Sequence, residues 1–112
     1  MANQNQHSST MDKTDVVNIV KQYANAVSTT FEPQKIFLFG SYAKGNYTEN
    51  SDIDIAIVLK DFSSAMDTQL ELMKLRRKID SRIEPHPFRE RDFEQTNPIV
   101  SEILKYGQEV IC

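Results

Sequence analysis

The stretch of sequence that decides the fold is residues 35–59, which read KIFLFGSYAKGNYTENSDIDIAIVL. It begins with Lys35–Phe39, a short apolar run of the kind found in buried strands. It ends with Asp52–Leu59, whose β-branched residues predict a second strand. The polar segment Gly40–Ser51 joins the two. The stretch therefore predicts two strands connected by a turn at the centre of the fold.

A helix is predicted before this stretch, from about Thr14 to Thr29, because apolar residues recur there at helical spacing. Pro33 prevents its continuation. No apolar periodicity precedes it, so residues 1–12 are expected to form a flexible tail. The apolar positions of the predicted helix are Val16, Val17, Val20, Ala24 and Val27.

A second long helix is predicted after the central stretch, from Ser63 or Ser64 to about Ile79. Ser64 and Asp67 resemble a capping box at its start. Three apolar residues share one stripe and three more widen it, and the methionines and leucines among them are expected in the core rather than at a ligand. They are Met66, Leu70, Met73, Leu72, Leu75 and Ile79.

Arg82–His86 predicts a short third strand. Pro85 and Pro87 lack backbone donors, so this strand is expected to end early or to lie at a sheet edge. Another helix is expected after Asn97, with an apolar stripe and with Gly107 at its end, and residues 109–111 are expected to add a last short strand. The stripe consists of Ile99, Val100, Ile103 and Leu104.

The order of these elements is typical of a mixed sheet with helices packed on it. We therefore predict an α/β (α+β) fold in a single small domain over residues 13–112. The sequence shows no internal repeat and no interdomain linker.

Composition excludes several classes of function. The formal net charge of −3 argues against a nucleic-acid-binding protein. Cys112 is the single cysteine and forms no internal disulfide, so no oxidising compartment is indicated. The sequence has neither an apolar run long enough to cross a bilayer nor an apolar signal core at its N-terminus. A cytoplasmic location without membrane association is expected.

Two carboxylates begin the second predicted strand. Side chains alternate between the faces of a strand, so Asp52 and Asp54 are expected on one face and Ile53 on the other. Two neighbouring carboxylates repel each other unless a positive group lies between them, and hard oxygen ligands suit Mg²⁺. A solvated pair of aspartates at a strand start is the alternative.

The turn before these carboxylates is suited to phosphate. Gly40 ends the first apolar strand and Ser41 opens the turn, where backbone N–H groups and a hydroxyl can approach phosphate oxygens. Lys44 adds a positive charge nearby. A phosphate site and a metal site on successive elements favour phosphoryl chemistry, because a metal bridges the same phosphate oxygens.

Gly40-Ser41, ten intervening residues and Asp52-x-Asp54 resemble the signature of the DNA polymerase β-like nucleotidyltransferase superfamily. The apolar strands on both sides match as well, and the resemblance covers residues 16–111. It is strongest to the minimal nucleotidyltransferases encoded beside HEPN-domain proteins. It implies that Gly40 and Ser41 hold ATP phosphates. It also implies a site for two Mg²⁺ ions, held by Asp52 and Asp54 with help from Glu84.

The resemblance also implies a third carboxylate from a later strand, for which Glu84 is the candidate. The family more often has Asp there, so this departure bears on the rate of catalysis more than on nucleotide binding. His86 shares a strand face with Glu84 and could assist the chemistry, but a surface or structural role is expected. The cluster Lys74–Lys78 is expected to be solvated at a helix C-terminus.

The family context implies a partner and an activity: AMP transfer from ATP to a tyrosine of a HEPN-domain toxin, which makes this chain an antitoxin. Two alternatives stay open at this point. The chain could neutralise its partner by contact alone, or it could modify a small molecule such as an antibiotic. A homodimer could then build the acceptor pocket between subunits.

Overall fold

The computed structural model describes residues 13–110, with side chains from residue 15 onward. The tail predicted for residues 1–12, Ile111 of the last predicted strand and Cys112 lie outside the described residues. None of the helices in the described part is long and apolar enough to cross a membrane. The elements are α1 (Lys13–Phe31), β1 (Lys35–Phe39), α2 (Ser41–Lys44), β2 (Ile53–Leu59), α3 (Ala65–Leu75), β3 (Ile83–Arg89), α4 (Pro98–Tyr106) and β4 (Gln108–Glu109), with 3-10 turns at Arg76–Lys78 and Glu90–Asp92.

The strands form one four-stranded sheet in the order β3-β2-β1-β4. β1 pairs antiparallel with both β2 and β4, while β2 pairs parallel with β3. The parallel connection from β2 to β3 runs through α3, as a crossover between parallel strands requires. The predicted mixed sheet flanked by helices is therefore confirmed.

Each face of the sheet carries its own apolar cluster. On the face we call the α1/α3 face, the odd-numbered residues of β2 pack against α1 and α3, and Ile53, Ile55 and Ile57 are fully buried. On the opposite α4 face, Ala56 and Val58 pack with Ile103 of α4 and with phenylalanines of β1. This division follows from the alternation of side chains along β2.

A buried hydroxyl ties α1 to α3 on the α1/α3 face. The Tyr23 hydroxyl donates to the carbonyl oxygen of Leu72 at 2.6 Å, and both side chains are fully buried. Burial raises the pKa of Tyr23 above its ordinary value, so the group stays a neutral donor at physiological pH.

The structure corrects the predicted core stripe of α3. Met66 and Leu70 are exposed, at 74% and 55%, and the buried side chains of the helix are Thr68 and Leu72. The prediction holds for Leu72, which is buried, and for Leu75, which packs against the apolar cluster of the α1/α3 face. It was wrong for Met66 and Leu70, because apolar residues occupy two faces of α3 and only one of them meets the sheet. The predicted cap is confirmed, since Ser64 Oγ accepts from the N–H of Asp67 at 3.1 Å.

The third strand lies at a sheet edge, as its prolines predicted, but it continues to Arg89 rather than ending early. The N–H of Ile53 donates to the carbonyl of Arg82 at 2.9 Å, so the backbone N–H and C=O groups of the even-numbered residues of β3 point toward β2. The backbone groups of Pro85 and Pro87 point away from β2, so the N–H groups that these prolines lack remove no hydrogen bond between the two strands. The carbonyl of Pro85 instead accepts from Gln69 Nε2 at 2.9 Å.

The last helix begins and ends where the sequence predicted. Asn97 caps α4 by accepting from the N–H of Ile99 at 2.9 Å, and Pro98 occupies the first turn. A Cβ on Gly107 would collide with the carbonyl oxygen of Ile103, so the chain can leave α4 here only with glycine. Of the predicted stripe, Val100 and Ile103 are buried, whereas Ile99 and Leu104 are about half exposed.

Candidate active site

The candidate site lies at one end of the α4 face, where β2 and β3 begin and β1 ends. Asp54 is paired in register with Glu84 of β3 and with Phe39 of β1. Residues paired across neighbouring strands project their side chains to the same face. Asp54 and Glu84 are thus neighbours on one face, and both are partly buried.

Asp52 lies one residue before β2 and is exposed to solvent. Strand alternation predicts that it shares the face of Asp54. Its position at the rim means that it adds a carboxylate to the site at little desolvation cost.

Gly40 is required at the end of β1 for two reasons. Its φ of 74° and ψ of −150° fall in a region that is populated almost only by glycine. A Cβ at this position would also collide with Asp54 Oδ2 and lie 3.2 Å from Asp54 Cγ. The backbone of the turn and the Asp54 carboxylate therefore lie in direct contact.

The predicted turn after Gly40 is a short helix. Ala43 and Lys44 donate their N–H groups to the carbonyl of Gly40 at 3.1 and 3.0 Å. The N–H groups of Ser41 and Tyr42 come first in the helix, where no helical partner exists. The ring of Tyr42 is fully buried and stacks on Tyr47 with centroids 4.4 Å apart, so the turn is anchored to the core.

His86 contacts the carboxylate of Asp54. Its Nε2 lies 3.1 Å from Asp54 Oδ1, a distance at which the imidazole N–H donates to the carboxylate. The imidazole also meets the ring of Phe39 edge-on, with centroids 5.0 Å apart. Because β2 and β3 are adjacent, His86 becomes part of the site.

Lys44 contacts α4 in this structure. Its ammonium lies 3.3 Å from Glu102 Oε1 and 5.4 Å from the centre of the Tyr106 ring. The Lys44 side chain is about one-third exposed, so this ion pair is weak. The phosphate contact predicted for Lys44 stays a prediction.

The start of β3 is held by charged groups on its outer side. Arg82 donates from Nη2 to Asp80 Oδ2 at 3.0 Å and from its backbone N–H to Asp80 Oδ1 at 2.8 Å. The Arg82 guanidinium holds the pKa of Asp80 below its ordinary value of 3.8. Arg76 Nη1 donates to the carbonyl of Ile83 at 2.8 Å. These bonds fix the backbone immediately before Glu84.

The carboxylates fit a magnesium site that is completed by substrate. Within residues 13–110, no group of three or more His, Cys, Asp or Glu side chains is arranged to hold a metal by itself. Mg²⁺ is usually held by one or two carboxylates together with substrate phosphates. Asp54 Oδ2 against the Gly40 turn, with Asp52 at the rim, is a donor set of this kind.

The structure brings together Gly40, Asp54 and Glu84, which the sequence predicted from separate segments. It adds His86, for which the sequence signal was the face shared with Glu84. Lys44 is the predicted site residue that is engaged elsewhere.

The sequence has recognisable relatives. The profile of a family described as nucleotidyltransferase domain matches residues 20–110. A protein of Methanocaldococcus jannaschii with the provisional name protein adenylyltransferase MJ0604 is 46% identical over 57 residues, which cover 48% of this chain and 57% of that protein. Protein adenylyltransferase MntA of Shewanella oneidensis is 39% identical over 56 residues, or 38% of this chain and 40% of MntA. The chain thus spans about half the length of the curated relatives it matches.

Solved structures show the same architecture. A toxin–antitoxin complex with AMP-PNP superposes with a TM-score of 0.61 at 25% identity, covering 83% of this chain and 70% of that one. A complex of a tri-AMPylated HEPN toxin with an MNT antitoxin, from Shewanella oneidensis, superposes with a TM-score of 0.55 at 22% identity, covering 87% and 70%. Because the sequences of the second pair are only 22% identical, that match shows a shared fold and nothing further.

Proposed function

This chain belongs to the nucleotidyltransferase domain family, and on that premise we propose that it transfers AMP from ATP, with Mg²⁺, to an acceptor hydroxyl. The observation that carries the proposal is the contact between the Gly40 turn and Asp54, with Glu84 in register on the next strand. A phosphate-binding turn and a pair of carboxylates meet at one point of the sheet, as phosphoryl transfer requires.

In this proposal the triphosphate lies over the Gly40–Ser41 turn. The N–H groups of Ser41 and Tyr42 have no partner within α2 and can donate to phosphate oxygens. The Ser41 hydroxyl adds a donor, and glycine at position 40 keeps the turn free of a side chain. Because buried Tyr42 anchors the turn, these donors are pre-oriented.

Asp52 and Asp54 are the residues that would hold Mg²⁺ against the phosphates, with Glu84 contributing to a second ion. When bound, Mg²⁺ supplies charge neutralisation at the phosphates and lowers the pKa of the attacking hydroxyl. The proximity of Asp54 Oδ2 to the Gly40 turn supports this role.

Glu84 accepts the proton of the acceptor. The acceptor oxygen attacks the α-phosphorus and forms a new P–O bond, while the bond from that phosphorus to the oxygen bridging to the β-phosphate breaks. Pyrophosphate leaves with the bridging oxygen, and Glu84 takes the hydroxyl proton. The products are the AMP ester of the acceptor and pyrophosphate.

We propose a tyrosine of a HEPN-domain toxin as the acceptor, which makes this chain the antitoxin of the pair. Support comes from MntA, which is named a protein adenylyltransferase, and from the solved complex of an AMPylated HEPN toxin with an antitoxin of this fold. The cytoplasmic location expected from the sequence is part of this proposal.

The test is transfer of AMP from ATP labelled at the α-phosphate to the HEPN-domain protein that co-purifies with the chain. We expect transfer that requires Mg²⁺ and is lost in Asp52→Asn and Asp54→Asn, because each change removes a metal ligand. Glu84→Gln should spare Mg·ATP binding and sharply reduce transfer, whereas Glu84→Asp should retain it. Ser41→Ala should weaken nucleotide binding by about 1.5–3 kcal/mol.

Glu71→Gln is the matched control, because Glu71 is an exposed carboxylate on α3, the helix that packs on the opposite face of the sheet. It should transfer AMP as the parent does. Undiminished transfer by Glu84→Gln would mean that the proton goes elsewhere, and parental Mg·ATP binding by Asp54→Asn would remove the carboxylates from the site.

A second candidate is a module that neutralises its partner by contact alone. The observation that favours it is the lack, among the described residues, of three metal-ligating side chains in a metal-binding arrangement. The same assay separates the two functions. A contact-only module would suppress the toxin's activity equally well with and without ATP and would leave the partner unlabelled.

A further inference from the structure

We propose that His86 is a positioning residue that sets the orientation of the Asp54 carboxylate for metal and nucleotide binding. This inference rests on the proposed function, because it assigns a task to a neighbour of Asp54. It concerns a side chain for which the sequence pattern favoured a surface or structural role over a role in the chemistry.

The two oxygens of Asp54 have different neighbours. Oδ1 lies 3.1 Å from His86 Nε2, whereas Oδ2 is directed at the backbone of Gly40. The terminal torsion of an aspartate is broad, so an unrestrained carboxylate would rotate readily. A hydrogen bond to one oxygen stops this rotation and keeps the other directed at the turn where we place the phosphates.

The imidazole can reach Asp54 because of the residue directly opposite it. His86 pairs in register with Ala56, not with Asp54, and Ala56 has only a methyl group. A larger side chain at this position would fill the space above the sheet. With alanine there, the ring leans across to the carboxylate two residues earlier on β2.

The imidazole is itself held in place. Phe39 is paired in register with Asp54 on the other side of β2, and it meets the His86 ring edge-on with centroids 5.0 Å apart. Phe39 is buried at 6% exposure, so it is a fixed surface for the ring. His86 is thus held between a buried aromatic ring and the Asp54 carboxylate that it contacts.

Groups that orient a metal ligand act strongly on affinity. Removing such a hydrogen-bonding partner typically costs on the order of 10- to 100-fold in metal affinity. We therefore expect His86 to act on the binding of Mg²⁺ with nucleotide rather than on the fold. It touches neither the acceptor nor the phosphates in this scheme.

Calorimetric titration with AMP-PNP, with Mg²⁺ and with EDTA, tests the inference on the full chain without requiring turnover. His86→Leu should raise the Kd for Mg·AMP-PNP on the order of 10- to 100-fold. It should leave the Kd for metal-free AMP-PNP unchanged. His86→Gln can place its amide N–H near the position of Nε2 and should bind Mg·AMP-PNP with a Kd close to that of the parent.

Gln69→Leu is the matched control. Gln69 donates to the carbonyl of Pro85 on the outer side of the same strand, at 2.9 Å, so its loss affects β3 but not Asp54. It should lower the melting temperature and leave the Kd for Mg·AMP-PNP unchanged. If His86→Leu does not fold, His86→Asn replaces it, since asparagine is polar but too short to reach Asp54.

Parental binding by His86→Leu, or by His86→Asn where it replaces the leucine variant, would overturn the inference. Equal losses in the glutamine variant and in the leucine or asparagine variant would overturn it as well, because the imidazole would then act by something other than this hydrogen bond.

A titration of Asp54→Asn separates the failure of this inference from the failure of the proposed function. If this variant loses Mg·AMP-PNP binding while His86→Leu keeps it, only the role of His86 is wrong. If Asp54→Asn also binds as the parent does, the proposed active site is wrong and the inference falls with it.

Discussion

The two faces of the sheet are built from the same strands but differ in what they carry. On the α1/α3 face, β2 contributes Ile53, Ile55 and Ile57, all fully buried under helices. On the α4 face the same strand contributes Asp54 at one end and the apolar Ala56 and Val58 farther along. On the α1/α3 face, β2 is apolar along its whole length, whereas on the α4 face it carries a carboxylate at one end. Changes on the two faces should therefore separate stability from binding.

The largest expected effect on stability is at Ile55. Ile55→Ala removes a fully buried side chain from the α1/α3 cluster and should lower the free energy of unfolding by about 2–5 kcal/mol. Chemical denaturation followed by circular dichroism measures this. Its neighbour supplies the contrast, because Asp54→Asn should leave the free energy of unfolding close to that of the parent while abolishing Mg·ATP binding. Equal destabilisation by both changes would show that the faces do not divide these tasks.

Gly40→Ala should affect both properties at once. The strain of its backbone conformation costs about 1–3 kcal/mol for a residue with a side chain, and the added Cβ collides with Asp54 Oδ2. We expect a lower free energy of unfolding together with a loss of Mg·ATP binding. Thermal denaturation and calorimetric titration measure the two effects separately.

Gly45 is the control for that change, because it also has a positive φ, of 86°, but no atom lies within 4 Å of its added Cβ. Gly45→Ala should cost about 1–2 kcal/mol in stability and preserve Mg·ATP binding. If Gly45→Ala abolished binding as Gly40→Ala does, backbone strain alone would explain both, and the contact with Asp54 would not matter.

The smallest expected effect is at the turn before β3, which serves both faces because Ile83 and Glu84 follow it. The pKa of Asp80 is lowered mainly by its hydrogen bond from Arg82. Its ionised form therefore stabilises the folded chain above pH 3.8, and this contribution is lost as the pH falls from that value through the lower pKa of the folded state. For a partly exposed pair, the contribution should not exceed about 1 kcal/mol.

Urea denaturation as a function of pH measures this contribution. Asp80→Asn should flatten the loss of stability below pH 3.8, and Arg82→Gln should flatten it in the same way. An unchanged profile in Asp80→Asn would show that the ion pair does not stabilise the start of β3.

Much of the framework follows from local sequence. The sequence predicted the apolar runs of β1 and β2, the Ser64 cap, the start of α4 after Asn97 and the turn at Gly40-Ser41 within one or two residues. Short-range rules suffice for these features, because alternation and capping concern residues near each other in the chain.

The homodimer considered from the sequence stays a prediction, which sedimentation analysis would test.

Only the tertiary structure decided which apolar residues are core and which side chains form the site. Met66 and Leu72 are equally good core candidates in sequence, and the packing of α3 on the sheet buries one and exposes the other. The contact between His86 and Asp54 joins residues 32 positions apart and depends on the parallel register of β2 and β3. That register is determined by the burial of many side chains on the two faces of the sheet. The sequence near His86 or Asp54 predicts a strand there, but it does not predict which residues of the two strands lie opposite each other.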